Sequence, residues 1–347
     1  MQKLELDKVW LITGISGQDG SYLADYLLEL GYSNIHGIMR RSSTFNTSNI
    51  DHIFDKLRLH YGDLTDSMNI HNIINKIKPD YIVNFGAMSH VKTSHELENY
   101  TFQTNTIGVL NILQSVKSLN MEKSCKIYQA STSEIFGNTT DGSCILNEKS
   151  RQDPVSIYGI SKLAAQQICN MYRDAYGMFV VNSLLFNHES ARRGHTFVTQ
   201  KIVDYTAKYN LNNDIKPLEL GNLNAKRDWS CAKKFIEAIY LMLIADTPDN
   251  YVIASGETHS VKEFVELAFC RININVGWKG IGINEVGYNI KNNKVIVVVN
   301  PKYYRDIDIE CLIGDASKAK DKLGWEYTET FKSLVYSMVD HANISNC

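Results

Sequence analysis

Tyr158 and Lys162 stand four positions apart, and Glu134 lies 24 positions before Tyr158 in the run Ser131-Thr132-Ser133-Glu134. A tyrosine phenol titrates near ~10, too high for an efficient base at neutral pH. A lysine one helical turn further on shares its face. Its ammonium, together with a cationic nicotinamide, stabilises the phenolate and makes the tyrosine a usable base. Lys162 can also bond the nicotinamide ribose. Thr132 can donate a hydrogen bond to an oxygen undergoing oxidation, and Glu134 is placed to act on a neighbouring carbon. A Tyr-x-x-x-Lys pair alone moves a proton and a hydride. A carboxylate beside the active-site hydroxyl adds a second base. Simple dehydrogenation or epimerisation at a sugar carbon has no use for one, whereas pulling a carbon-bound proton and expelling water requires it. Thr132, Glu134, Tyr158 and Lys162 are therefore the catalytic candidates. The competing account is an amphipathic helix with a chance Tyr and Lys, and a glutamate that caps the next turn.

A cofactor site precedes them. Gly14-Ile15-Ser16-Gly17-Gln18-Asp19-Gly20 has the spacing Gly-x-x-Gly-x-x-Gly. It follows an apolar run at 9–13 and opens an amphipathic stretch at 21–30. Glycines permit the tight turn and let backbone N–H groups approach a pyrophosphate at a helix N-terminus. The end of the second apolar run selects the dinucleotide. An NAD site usually places a carboxylate there, for the ribose 2′-hydroxyl. This chain has Arg40-Arg41-Ser42-Ser43. Guanidinium groups suit a 2′-phosphate that a carboxylate would repel, so NADP is expected. Asp63 and Leu64 are candidates for the adenine edge. Phe85, Gly86, Ala87, Met88 and Ser89 are candidates for the nicotinamide-side ribose.

The elements that would position these groups alternate. Apolar runs at 9–13, Ile35–Met39, 57–61, 81–85, Lys126–Ala130 and 179–185 read as strands, and 21–30, 99–118 and Ile157–Tyr176 as helices. This predicts an α/β fold, a doubly wound parallel sheet of Rossmann type. The Gly-rich turn and the Ser131–Glu134 run both fall at carboxyl ends of strands, where such sheets bind ligands. After Asn187 the pattern loosens, with a possible hairpin between 277 and 299. A smaller α/β substrate-binding lobe is expected over 188–231 and 256–347. The dinucleotide domain takes 1–187, with a return segment at about 232–255, where Tyr251-Val252-Ile253-Ala254 is rich in β-formers.

Composition narrows the function class. The chain has 347 residues, 44% hydrophobic, with a formal net charge of −2. No global field argues for nucleic acid or an anionic membrane. No apolar run is long enough for a membrane span, and the charged start lacks the apolar region of a secretory signal. Seven scattered cysteines without a Cys-x-x-Cys pair read as free thiols in a reducing compartment, so a cytoplasmic protein is expected. His95-Glu96-Leu97-Glu98-Asn99 begins like a zinc motif but lacks the second histidine, and no metal is expected.

The chain resembles the GDP-mannose 4,6-dehydratase family of the extended short-chain dehydrogenase/reductase superfamily, over almost its whole length. The residues that carry the resemblance are Gly17 to Leu23, Arg40 to Ser43, Tyr128 to Glu134, Leu185 to Ser190, Gly221 to Leu223, Ala225 to Trp229 and Gly256 to Ser260. dTDP-glucose 4,6-dehydratases typically carry an Asp-Glu pair after the strand-five Thr; here it is Thr132-Ser133-Glu134, as in the GDP-mannose branch. The resemblance implies catalysis by Thr132, Glu134 and Tyr158 with Lys162 assisting. It implies NADP binding by Gly14, Ile15, Ser16, Gly17, Gln18, Asp19, Asp63, Leu64, Phe85, Gly86, Ala87, Met88, Ser89, Tyr100, Lys162, His188 and Arg193, beside Arg40 and Arg41. It places the sugar and GDP against Asn187, Lys201, Arg227 and Arg305, with Ser89, Thr132, Ser133, Glu134 and Tyr158. The implied reaction converts GDP-mannose to GDP-4-keto-6-deoxymannose, for GDP-fucose or GDP-rhamnose formation. The implied assembly is a homodimer or homotetramer, paired through 99–118 and Ile157–Tyr176. Departures are Met88 for a usual Gln, Ser48 and Asn49 where a basic residue is common, Ala191 for Pro, Gln200 for Arg, Ser230-Cys231 for Gly-His and Asp306 for Pro. The alternatives are a nucleotide-sugar 4-epimerase, which needs no Glu134, a bifunctional dehydratase that also reduces its product to GDP-rhamnose, and an NADP-sensing binding protein.

Overall fold

The computed structural model describes residues 5–138, 145–303 and 312–345. The chain divides into two compact units, Met1–Phe186 with Ala232–Ile253 and Asp315–Glu326, and Asn187–Cys231 with Ala254–Gly314 and Tyr327–Cys347.

The first unit is built on seven strands: β1 Trp10–Thr13, β2 Ile35–Met39, β3 Arg58–Tyr61, β4 Tyr81–Asn84, β5 Lys126–Ala130, β6 Val180–Leu185 and β7 Asn250–Ile253. Their order is β7-β6-β5-β4-β1-β2-β3, and every pairing is parallel. β1 and β6 are buried along their whole length. Burial on both faces explains why they read as continuous apolar runs and not as alternating ones. The order reverses at β1, which lies between β2 and β4. Thr13 and Asn84 are opposite one another at that switch point.

Helices cover both faces. α1 is Gln18–Glu29, α2 Ser67–Ile77, α3 Gly108–Ser118, α4 Ile157–Tyr176 and α5 Ala232–Ile244. On one face, Ile70, Ile74, Ile112, Leu113, Val116, Ala165 and Cys169 close over Leu11, Ile38, Ile82, Ile127 and Val180. Each fully buried side chain of this size contributes about 1.5–3 kcal/mol against exposure. On the other, Trp10 stacks on Tyr81 at 4.1 Å and meets Tyr32 and Tyr240. α4 starts at Ser156, whose hydroxyl accepts from Gly159 N at 3.0 Å, and stops at Gly177, with φ +59°.

One expectation is refined and one needs correction. The stretch 99–118 is helical as expected, but it runs as Glu98–Phe102, a π turn Gln103–Ile107, and then α3. The widened turn carries Asn105 inward, where its carbonyl accepts from Met88 N at 2.8 Å. Its amide donates to Met88 O and to Ser161 Oγ, each at 3.0 Å. The segment Asp315–Glu326, assigned to the lobe by sequence pattern, packs in the first unit. Lys318 donates to Asn250 O at 2.8 Å, and Trp325 Nε1 to Lys234 O at 3.0 Å.

Among the described residues, the second unit has three α-helices, Val198–Leu211, Val261–Arg271 and Phe331–Ser345, around Ile202, Phe264, Phe269, Val297 and Val335. The hairpin expected between 277 and 299 has three strands, Val276–Lys279, Val286–Asn289 and Val295–Val299. Leu218–Leu220 adds a fourth in parallel with the last. Short ribbons pair Trp229–Cys231 with Asn187–Glu189, and Lys226–Arg227 with His259–Ser260.

Candidate active site

The glycine-rich turn leaves β1 and enters α1. Gly14 has φ +66°, and a Cβ there would come 3.1 Å from Gly86 N. At Gly20 a Cβ would lie 2.4 Å from Gly14 O. Both positions require glycine, the first for its conformation and close approach, the second for the close packing of helix on turn. Ile15 packs against Gly37 of β2. α1 begins at Gly17 without a side-chain cap, so its first N–H groups face outward as an anion cradle. Asn49, a departure read from sequence only as a lost cation, donates to Ser16 O at 3.0 Å and pins this turn.

The other cofactor candidates of the first unit gather at the same strand ends. Arg40 donates to the Tyr100 hydroxyl, and the Arg41 guanidinium lies 5.6 Å from the Tyr61 ring. Asp63 closes a turn by accepting from Thr65 N and Oγ1 at 3.0 and 2.8 Å. Leu64 is buried, and its carbonyl accepts from Asn111 at 2.8 Å. In the Phe85–Ser89 loop, Gly86 N donates to Thr13 Oγ1 at 2.9 Å, the Phe85 ring lies 5.5 Å from Tyr128, and Asn105 clamps Met88 by its backbone. That clamp needs no side-chain amide at position 88, so the Met in place of Gln leaves it intact. These groups fit a dinucleotide: an uncapped helix start, a backbone cradle and exposed guanidinium groups.

The catalytic candidates converge where β5 ends against α4. Thr132 is buried in extended backbone, and its Oγ1 accepts from Glu134 N at 3.2 Å. The turn Ser133–Phe136 packs on α4, and a Cβ on Gly159 would come 2.8 Å from Glu134 O. Glycine thus lets the Glu134 turn lie directly on the helix that carries Tyr158. Tyr158 and Glu134 are half-buried. Lys162 is only 3% exposed, donates to Ala130 O at 2.9 Å, and sits 5.9 Å from the Tyr158 ring centre. Burial pushes its ammonium down to about 8, with the Asp19 carboxylate pulling the other way. Ser131 Oγ is buried and, among the described residues, has no hydrogen-bond partner.

The second unit holds the remaining candidates. Asn187 and His188 lie opposite Trp229 and Ser230, just after Arg227. Asp228 is buried and accepts from Ser255 N, Ser255 Oγ, Gly256 N and Gly314 N at 2.9, 2.6, 2.9 and 3.2 Å. Burial still raises its carboxyl above the usual range, against those four donors. Arg193 pairs with buried Glu189 at 3.1 Å and stacks on Phe197. Lys201 lies 5.1 Å from the Tyr303 ring. Arg305 lies outside the described residues. Sequence reasoning missed Gln129, Asn105 and Asp228. Asp228 had a signal in its place beside a candidate arginine, and Gln129 in its place within the Tyr128 to Glu134 stretch that carries the resemblance.

The statistical model of the GDP-mannose 4,6 dehydratase family matches residues 11–338. The chain is 48% identical over 344 residues to GDP-mannose 4,6 dehydratase of Homo sapiens, covering 97% of this chain and 91% of that one. It is 47% identical over 341 residues to that of Drosophila melanogaster, covering 96% and 85%. Against GDP-mannose 4,6-dehydratase of Sinorhizobium fredii it is 43% identical over 339 residues, covering 96% and 95%. Among solved structures it is similar to UDP-glucose 4-epimerase of Thermotoga maritima, with a TM-score of 0.81 at 20% identity over 97% of this chain and 99% of that one. It is also similar to dTDP-glucose 4,6-dehydratase of Bacillus anthracis solved with NAD, with a TM-score of 0.78 at 21% identity over 96% of each. At such identities these two establish the fold, whereas the curated relatives and the matched model establish the family. The chain belongs to the GDP-mannose 4,6 dehydratase family.

Proposed function

We propose that this chain is an NADP-dependent hydro-lyase that converts GDP-mannose to GDP-4-keto-6-deoxymannose. The observation that carries the reading is the Glu134 turn seated by its backbone on the Tyr158 helix, with its N–H bonded to the Thr132 hydroxyl. Tyr158, as phenolate, takes the proton of the sugar C4 hydroxyl. Lys162, one turn further on, stabilises that phenolate while it is protonated. Thr132 donates to the C4 oxygen as it becomes a carbonyl. The ketone acidifies the C5 proton; Glu134 removes it and passes it to the C6 hydroxyl, which leaves as water, and the proton held by Tyr158 goes to C5 when the hydride is returned at C6. A bound nicotinamide supplies a reversible store for one hydride, lent from C4 and returned at C6. Asn187, Lys201 and Arg227 would hold the sugar and the diphosphate, with Ser89 and Ser133 on the sugar side. His188 and Arg193 would serve the cofactor. Epimerisation at C4 has no role for Glu134 and is not favoured.

The choice of NADP rests on Arg40 and Arg41 at the end of β2, where no carboxylate stands. Charge reversal at both should weaken NADP at least tenfold and leave NAD almost unchanged. A second copy would pack on α4 and on the helical stretch 98–118, where Phe102, Ile160 and Met171 are exposed. Sedimentation of the wild type against Ile160→Lys tests this. Buried Cys125 and Cys169, both free, suit a reducing cytoplasm.

The test incubates GDP-mannose with the purified protein and catalytic NADP. Loss of one water, with a new 6-methyl signal and no NADPH build-up, is expected; Glu134→Gln should form no product. Epimerised sugar without loss of water would overturn the reading.

A further inference from the structure

Between the cofactor turn and Lys162 runs a line of buried polar groups that the reaction itself does not use. Thr13, Asn84 and Gln129 end β1, β4 and β5 and are at most 2% exposed. Gly86 N donates to Thr13 Oγ1 at 2.9 Å, and Thr13 donates to Asn84 Oδ1. Asn84 Nδ2 donates to Gln129 Oε1 at 2.7 Å, and Gln129 Nε2 donates to Ala130 O at 2.7 Å. Ala130 O also accepts from Lys162 Nζ at 2.9 Å.

The direction of this line is forced at its Ala130 end. At the other end Thr13 Oγ1 accepts from Gly86 N, which leaves its proton free for Asn84 Oδ1. A carbonyl can only accept, so Gln129 must present its NH2 to Ala130. The two amide orientations in between follow. Each donor polarises the next, and the last acceptor divides its two lone pairs between Gln129 and Lys162.

We propose that Gln129 is a positioning residue for Lys162. By occupying one lone pair of the Ala130 carbonyl it limits the hold of that carbonyl on the ammonium, and it keeps Nζ at the height of Tyr158. The same line ends at Gly86, so the loop after β4 and the catalytic ammonium are set by one rigid ruler across three strands. This rests on the reading that Tyr158 and Lys162 carry the acid–base chemistry. The titratable groups acting on Lys162 are Asp19 of α1 and Cys169 of α4, with Tyr158 nearby; none of them belongs to the line.

The experiment compares Gln129→Met, Gln129→Glu, Thr13→Val and Thr13→Ser for kcat, KM and the alkaline limb of the pH profile. Gln129→Met removes the competing donor. Its alkaline limb should move up by about half a pH unit, and kcat should fall about tenfold with KM within twofold. Gln129→Glu adds a carboxylate and should move the limb further in the same direction. Thr13→Val should show part of the effect and Thr13→Ser should restore wild-type behaviour, which keeps the test alive if the Gln129 variants do not fold. Wild-type kcat and an unmoved limb in Gln129→Met, with only a lower melting temperature, would overturn the proposal. Should the wild type itself release no water, the proposed function fails. The proposal is then judged by the alkaline rise of conformational stability due to Lys162, which needs no turnover. An upward shift of that rise in Gln129→Met supports it, and an identical rise refutes it.

Discussion

Replacing Lys162 by methionine should stabilise the cofactor-free protein while abolishing its activity. The ammonium is 3% exposed and, among the described residues, its one hydrogen bond is to Ala130 O. Burial lowers its pKa from 10.5 to about 8. At 1.36 kcal/mol per unit, holding this charge in the folded state costs about 3 kcal/mol below pH 8. Methionine has a similar length and no charge. Ala130 O keeps its bond from Gln129, so the lost hydrogen bond takes back only about 1 kcal/mol. The net expectation is about 2 kcal/mol of added stability at pH 7. The sign reverses with alkali: between pH 8 and 10.5 the unfolded lysine binds more protons than the folded one, so wild-type stability rises with pH. Urea midpoints at pH 7 and pH 9.5, without nucleotide, read both. A Lys162→Met protein less stable than wild type at pH 7, or a gap that does not narrow by pH 9.5, would refute the reasoning.

Gly159→Ala should follow the clash and not helix propensity. Propensity alone favours alanine by about 1 kcal/mol, but its Cβ would come 2.8 Å from Glu134 O; kcat should fall by about a hundredfold with the melting temperature little changed, as measured by turnover and calorimetry. His36 and His60 face each other at 2.9 Å, and burial lowers the pKa of His36 to about 4, with His60, Arg58 and Lys76 acting the same way. The unfolded imidazole takes up its proton first, so stability present above pH 6.5 is lost as pH falls toward 4; thermal melts from pH 7 to 5 should fall more steeply for wild type than for His36→Gln. Asp228→Asn replaces one acceptor oxygen by a donor facing backbone N–H groups, and should cost about 3 kcal/mol in chemical denaturation.

Much of the first unit was legible in the sequence. The bounds of β2, β5 and α4 are those the pattern predicts, because each is a local apolar run or a helical period closed by its own cap or turn residue. The glycine-rich turn was legible for a related reason: the conformation of Gly14 and the packing of Gly20 on Gly14 O are steric requirements within the turn itself. The quartet Thr132, Glu134, Tyr158 and Lys162, whose catalytic role is proposed above, was picked out as residue types at a spacing. What the tertiary structure alone decided are relations between distant segments. Asn105 lies in a widened turn from which its amide donates to both Met88 O and Ser161 Oγ. Asn49 reaches back to Ser16, and Asp315–Glu326 joins the first unit through Asn250 and Lys234. Thr13, Asn84 and Gln129 form one hydrogen-bonded line only because β1, β4 and β5 are neighbours in the sheet. The lowered pKa of Lys162 is likewise a property of its burial and not of its residue type. Propensity and periodicity act over a few residues and can be read along the chain; desolvation and buried hydrogen bonds depend on which strand lies beside which, and that is settled only when the sheet closes.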